Sequence, residues 1–299
     1  MKKVITILAL ATCATMVSSI GVAQAASNKP ITSHKASISI QTKKVNVNAA
    51  PKYKLSALST TSVLDTFEQQ IGSTWYTEMP NNTYSGQVSA NYMLNGKDSY
   101  RIELRKSDPN VNGSKRSEIA TNPVQQLSEH TYNVSILLPK GGSEDYALDP
   151  QGSEIITQWH NTPDVGEAWT TPPLALRTYN GHYVLERCWD AAPITSDAQM
   201  TAEGNRASYD LGSYIQDKGK WVNWTFHIKW GWLASQKPIL EVYKNGVNVL
   251  NLDGLPNTTN DKVGTYWKMG LYKWDWAQGS QDTSVLSDRV IYFNNVSMS

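Results

Sequence analysis

Three short segments, far apart in the chain, carry side chains that could do chemistry together. They are Lys115-Arg116-Ser117-Glu118-Ile119, Gln158-Trp159-His160 and Tyr266-Trp267-Lys268-Met269-Gly270-Leu271-Tyr272. A β-strand alternates its side chains with period two. Arg116 and Glu118 then share one face, as do Gln158 and His160, and Lys268 and Tyr272. On a single sheet these faces make a patch with a guanidinium, an amide, an imidazole, an ammonium and a phenol. Such a patch can hold a carboxylate and move protons beside it, the chemistry of an enzyme acting on an acidic polymer. Taken singly, each residue has a plainer reading. Arg116 and Glu118 could be an exposed ion pair, and a lone His or Tyr on a strand is more often packing than catalysis. Their joint occurrence favours chemistry.

The elements that must position these residues read as strands. Ser99–Arg105 alternates cleanly, and Thr131–Leu138, Trp221–Trp230 and Arg289–Met298 read as further strands. Asn180-Gly181 between 174–179 and 182–187, and Asn245-Gly246 between 240–244 and 247–250, are hairpin signatures, and Asn95-Gly96 marks a third tight turn. Helical periodicity is weak and no internal repeat is visible. The reading is an all-β chain, a two-sheet sandwich of jelly-roll type similar to concanavalin A. The chain holds 11 Trp and 15 Tyr against 3 Phe. Most of these rings belong in the core, and some could line a sugar-binding groove, with Trp274 and Trp276 the candidates beside the third segment.

The N-terminal residues read as a secretion signal over 1–25. Lys2 and Lys3 form its basic start, an apolar stretch follows, and Ala23-Gln24-Ala25 fits a cleavage site, leaving Ala26 as the new terminus. A membrane anchor or a lipoprotein through Cys13 fits the pattern less well. Residues 26–60 are rich in Ser, Thr, Asn and Lys and read as a flexible linker with a short strand at Ala36–Ile40, while 61–299 form the β domain. The expected location is secreted or periplasmic, with no membrane span and a monomeric state. Losing Cys13 leaves Cys188 alone, so a sizeable core rather than a disulfide must stabilise the domain, and Cys188 reads as a small buried hydrophobe. Setting aside the eight lysines before Thr60 leaves 19 basic residues against 26 acidic ones, a balance of about −7. That opposes general attraction to nucleic acid or to a densely sulfated polymer.

The three segments resemble the motifs of jelly-roll polysaccharide lyases, the group that includes glucuronan lyases, heparin lyase I and alginate lyases of the R-x-E-L, Q-[IV]-H, Y-x-K-A-G-x-Y type. They occur here in that order, and the resemblance spans roughly 64–299. Trp159 in place of Ile or Val looks more like the heparin lyase I and glucuronan lyase branches, and Tyr272-Lys273-Trp274 departs from the alginate lyase ending. The resemblance implies β-elimination beside a uronate carboxylate. Gln158 and Arg116 would neutralise the carboxylate, and His160 and Tyr272 would serve as base and acid. Lys268 would bind substrate or act on the phenol by its charge. In glucuronate and mannuronate H5 and O4 lie on one side of the ring, so Tyr272 could do both tasks with His160 assisting; in guluronate or iduronate two residues are needed. Glu118, Arg105, Arg177 and Trp274 are further candidates for substrate contact. The chemistry requires no cofactor. Some members of the group hold a structural calcium, for which Asn260, Asp261 and the loop at Asp253 offer oxygen ligands. No zinc-ligand spacing or phosphate-binding glycine loop is present.

Two other classes compete. A jelly-roll glycoside hydrolase needs paired carboxylates, and its usual strand-borne E-x-D-x-E pattern is absent. A non-catalytic carbohydrate-binding module would keep an aromatic groove but has no need of Gln158, His160 and Tyr272 together. Among substrates the order of expectation is non-sulfated polyglucuronate (glucuronan), then alginate, then heparin.

Overall fold

Alternating burial along the strands divides the chain between two antiparallel sheets packed face to face. A computed structural model describes residues 62–65, 67, 71–279 and 282–299. The expected signal (1–25), linker (26–60) and strand at Ala36–Ile40 lie outside the described residues.

The first sheet contains β1 (Ser62–Asp65), β3 (Gly86–Leu94), β4 (Lys97–Arg105), β6 (Glu129–Leu137), β11 (Trp221–Lys229), β12 (Ile239–Lys244), β13 (Val247–Asp253) and β15 (Asp288–Met298). Its order is β13-β12-β11-β6-β15-β4-β3, with β1 paired to the end of β15. The second sheet contains β2 (Tyr76–Glu78), β5 (Arg116–Ala120), β7 (Ser153–His160), β8 (Leu174–Tyr179), β9 (His182–Cys188), β10 (Arg206–Ser213) and β14 (Tyr266–Tyr272), in the order β10-β9-β8-β7-β14-β5-β2. The molecule is therefore a two-sheet jelly roll. The expected hairpins are present as β3/β4, β8/β9 and β12/β13. Asn180 and Gly181 both have positive φ, 45° and 85°, as the mirror-image two-residue turn requires.

The sequence scatters the three motifs, but the topology makes β5, β14 and β7 neighbours. Lys268 pairs with Ala120 on one side and Gln158 on the other, and Tyr266 pairs with His160. Large aromatics between the sheets fix this register. Trp159 and Trp267, opposite each other on β7 and β14, stack with ring centroids 5.9 Å apart and planes within 2°. Phe226 and Tyr132 of the first sheet meet Trp159 edge-on at 4.8 and 5.2 Å. A slip of one residue would expel these rings from the core. Their burial therefore forces Gln158, His160, Lys268 and Tyr272 onto the opposite face.

Cys188 is fully buried, and burial pushes its thiol up to about 12, which fits packing rather than reactivity. Trp276 is also a core residue, not a groove platform. Among the described residues no helix is long and apolar enough to cross a membrane.

Candidate active site

The outer face of the second sheet carries a groove of about 940 Å³, lined by Arg116, Gln158, His160 and Tyr272 among others. Arg177 and Trp274 line it as well. The four residues expected to do the chemistry are thus brought together from three strands.

Behind them lies a compact ionic lattice. Lys268 is fully buried, with its Nζ 2.8 Å from Glu78 Oε2 and 2.8 Å from Glu118 Oε2. Arg116 Nη1 is 3.0 Å from the same Glu78 oxygen and 3.5 Å from Glu118 Oε2. Glu78 is half-surrounded by protein; burial would raise its pKa, but Lys268 and Arg116 outweigh that and hold it below the ordinary carboxylate range. Two cations face two carboxylates here, so the lattice has no excess charge. The expectation that Lys268 and Glu118 contact substrate is corrected by their burial: both support the groove from beneath, and their charges are engaged by one another. Breaking such a buried pair leaves an uncompensated charge, which explains why the lattice can fix geometry.

Glu118 also orients Gln158. Gln158 Nε2 donates to Glu118 Oε1 at 2.5 Å. A carboxylate only accepts, so the amide nitrogen must face it, leaving the second N–H available for a ligand. Gln158 Oε1 is buried without a hydrogen-bond partner among the described residues.

His160 is set by its neighbours. Its Nδ1 lies 2.9 Å from the carbonyl of Asn161, which can only accept, so Nδ1 carries the proton and Nε2 holds a free lone pair. Burial, reinforced by the positive charges of Lys268 and Arg116, lowers its pKa to about 4. The ring stacks on Tyr266 at 5.8 Å and meets the exposed Trp169 edge-on at 5.4 Å. Asn161 is itself held by Asp261, whose Oδ2 accepts from Asn161 Nδ2 at 2.8 Å. Asn260 donates to the carbonyl of Ala191 at 3.2 Å. Asn260 and Asp261 thus each have a protein partner. Asp261 is a support beneath His160, and among the described residues no group of three or more His, Cys, Asp or Glu could hold a metal ion.

Tyr272 lies at the other end of the motif strand. The Arg116 guanidinium sits 4.5 Å from its ring centroid, and the Trp274 ring is 6.1 Å away. The following residue, Lys273, is fully buried and bridges Asp149 at 2.9 Å, Glu154 at 3.2 Å and Asp275 at 3.1 Å. This ties the segment after β14 to β7 and gives a structural reason for the lysine that follows Tyr272. Arg105, by contrast, lies on β4 of the first sheet, where it pairs with Glu103 at 2.5 Å and covers Tyr84 at 3.8 Å. Its place on the other sheet corrects the expectation of a substrate contact.

A family model described as polysaccharide lyase matches residues 58–297. The chain belongs to the polysaccharide lyase family. No curated protein sequence matches it. Among solved structures it is similar to an endo-β-1,4-glucuronan lyase from the fungus Trichoderma reesei, with 19% identity, a TM-score of 0.61, and coverage of 75% of this chain and 90% of that one. It is also similar to alginate lyase A1-II', a member of polysaccharide lyase family 7, with 16% identity, a TM-score of 0.50, and coverage of 76% and 94%. These likenesses establish the jelly roll, and the family match makes this lyase an enzyme acting on polysaccharide.

Further residues of the lyase line the groove. Tyr266 stood inside the third motif with the parity of Lys268 and Tyr272, so its position was legible. Glu78 comes from a three-residue strand with no motif of its own. Trp169 comes from the β7–β8 loop, and Glu186 and Arg206 come from β9 and β10, outside every motif. Only the sheet order brings them to the groove.

Proposed function

We propose that this lyase cleaves a uronate polymer by β-elimination, with non-sulfated polyglucuronate its preferred substrate and alginate the next. The observation that carries the reading is the convergence of Arg116, Gln158, His160 and Tyr272 on one groove. The proton on C5 becomes removable only when charge on the neighbouring carboxylate is stabilised. The free N–H of Gln158 and the Arg116 guanidinium supply fixed donors there. A base then takes H5, an acid protonates the O4 leaving group, and the C4–O4 bond breaks as the C4–C5 double bond forms.

The state of His160 bears on who does what. A neutral imidazole whose conjugate acid has a pKa of about 4 is a weak base. Tyr272 is then assigned both transfers, with His160 Nε2 assisting at the substrate. The Arg116 guanidinium lies over the Tyr272 ring, 4.5 Å from its centroid, and helps to hold the ring in the groove. One residue serving as base and acid suits glucuronate and mannuronate, where H5 and O4 share a side. The lining also opposes a densely sulfated polymer, since Glu78, Glu186 and Asp197 balance Arg116, Arg177 and Arg206.

The enzyme is read as exported, on the pattern of residues 1–25, and as needing no cofactor for its chemistry. The deciding experiment is a panel of polyuronates followed by ultraviolet absorbance of the conjugated product. Polyglucuronate should give the fastest rise. Reducing ends without absorbance would mean hydrolysis, and binding without either would mean a lectin.

A further inference from the structure

Beyond the catalytic end, the groove continues across the second sheet through an unbroken run of contacts. Trp274 neighbours Tyr272, and the Arg177 guanidinium lies 4.7 Å from the Trp274 ring centroid. Arg177, on β8, bonds through Nη2 to Oε1 of Glu186 on β9. Arg206, at the start of the edge strand β10, bonds to the other oxygen of Glu186 through Nε, at 2.9 Å, and Nη2. All four residues line the groove.

Glu186 is almost fully buried, with its carboxylate divided between two guanidiniums. Within the trio two guanidiniums share one carboxylate, and the second negative charge that balances them, Asp197, acts on Arg206 without a hydrogen bond to it. Asp197, also in the lining, accepts from the amide of Thr171 at 2.6 Å and stands at the exposed start of the short helix Asp197–Met200. An arginine on a sheet edge ordinarily extends into water. Arg206 is 40% exposed, yet two of its donors are tied to one carboxylate oxygen, which leaves Nη1 without an acceptor among the described residues. A guanidinium fixed in this way is already oriented for a second carboxylate. Strands are spaced about 4.8 Å apart, so β10 lies roughly 14 Å from β7. That is farther than one sugar ring beside Gln158 and His160 can reach.

We propose that Arg206, oriented by Glu186 and flanked by Arg177, forms a carboxylate-reading subsite for a uronate of the same polymer several rings from the bond that breaks. The inference rests on the reading of this lyase as a uronate-polymer enzyme. It makes Arg206 a determinant of chain-length preference, while the elimination itself occurs at Tyr272.

The test is steady-state kinetics of Arg206→Gln and Arg206→Lys on the polyuronate that wild type cleaves best and on its size-fractionated oligosaccharides. Losing one charge-assisted contact should raise KM for long substrates about tenfold, with a much smaller change in kcat. The advantage of long over short substrates should shrink, and Arg206→Lys should fall between. A purely structural Arg206 would lower the melting temperature and affect all lengths alike, and that result would overturn the proposal. Should wild type eliminate on none of the polymers, the functional reading fails instead. Retardation of wild type and Arg206→Lys in gels containing polyglucuronate then judges the subsite separately: weaker retardation of the variant supports it, and equal retardation refutes it.

Discussion

The Arg116 guanidinium lies 4.5 Å from the ring centroid of Tyr272 while its Nη1 is anchored on Glu78. One cation thus joins the short strand β2 to the phenol assigned the proton transfers. Tyr272→Phe should lower kcat about a thousandfold or more with the melting temperature little changed, since only a hydroxyl is removed. Tyr266→Phe, the control within the same motif, should cost much less. If Tyr266→Phe were the more damaging change, the roles of the two phenols would have to be exchanged. Arg116→Lys should lower kcat about a hundredfold, because an ammonium cannot cover the ring and hold Glu78 in the same fork geometry.

Gln158 depends on Glu118 for its direction. Glu118→Gln should free the amide to rotate and should remove a buried charge facing Lys268. Breaking one side of such a lattice costs about 3 kcal/mol. Lys268→Met should be at least as destabilising, and the double variant Glu118→Gln/Lys268→Met should recover part of the loss in chemical denaturation. Simple additivity would show that the two side chains are not coupled.

The depressed pKa of His160 makes two statements about pH. Its ordinary value is 6.5 and its folded value is about 4. Below pH 6.5 the unfolded chain binds a proton that the folded protein refuses. Stability from this group is therefore complete above 6.5 and falls as the pH drops towards 4, by a total on the order of 3 kcal/mol. His160→Gln should flatten that slope between pH 6.5 and 4 in denaturation curves. For activity, protonation of His160 should not limit kcat/KM of the free enzyme until the pH nears 4. An acid limb centred near 6.5 that vanishes in His160→Gln would contradict the neutral, buried imidazole.

Gly270 allows β5 and β14 to approach closely. Its φ is 145°, and a Cβ there would lie 2.2 Å from the Ser117 carbonyl oxygen and 2.7 Å from Glu118 Cα. Both contacts are backbone, so they cannot be relieved by a rotamer change. Gly270→Ala should cost about 2 kcal/mol or more and should lower kcat, because it pushes Glu118 and Arg116 away from Lys268 and Tyr272. Thermal melting and steady-state rates on polyuronate check both effects.

By itself the sequence determined most of the strands, though not β2 or β10, and the tight turns and the faces of the three motifs. Those features are local. Period two assigns Gln158 and His160 to one face, and the buried Trp159 confirms it from the other side. Asn180-Gly181 specifies a hairpin because few other residue pairs accept two positive φ angles. Burial depth was not local. Lys268 has the parity of Tyr272, yet Glu78, from a three-residue strand 190 positions away, closes over its ammonium and keeps it from the groove. Arg105 alternates as well as Arg116 does, but the topology sends β4 to the other sheet. Asp261 carries an ordinary calcium-type ligand, and only the fold shows its oxygen engaged by Asn161. Glu186 and Arg206 belong to no motif and meet because β9 and β10 pair antiparallel. Periodicity tells which way a side chain points from its own strand; which strands lie beside it, and what covers it, depends on long-range packing of the two sheets.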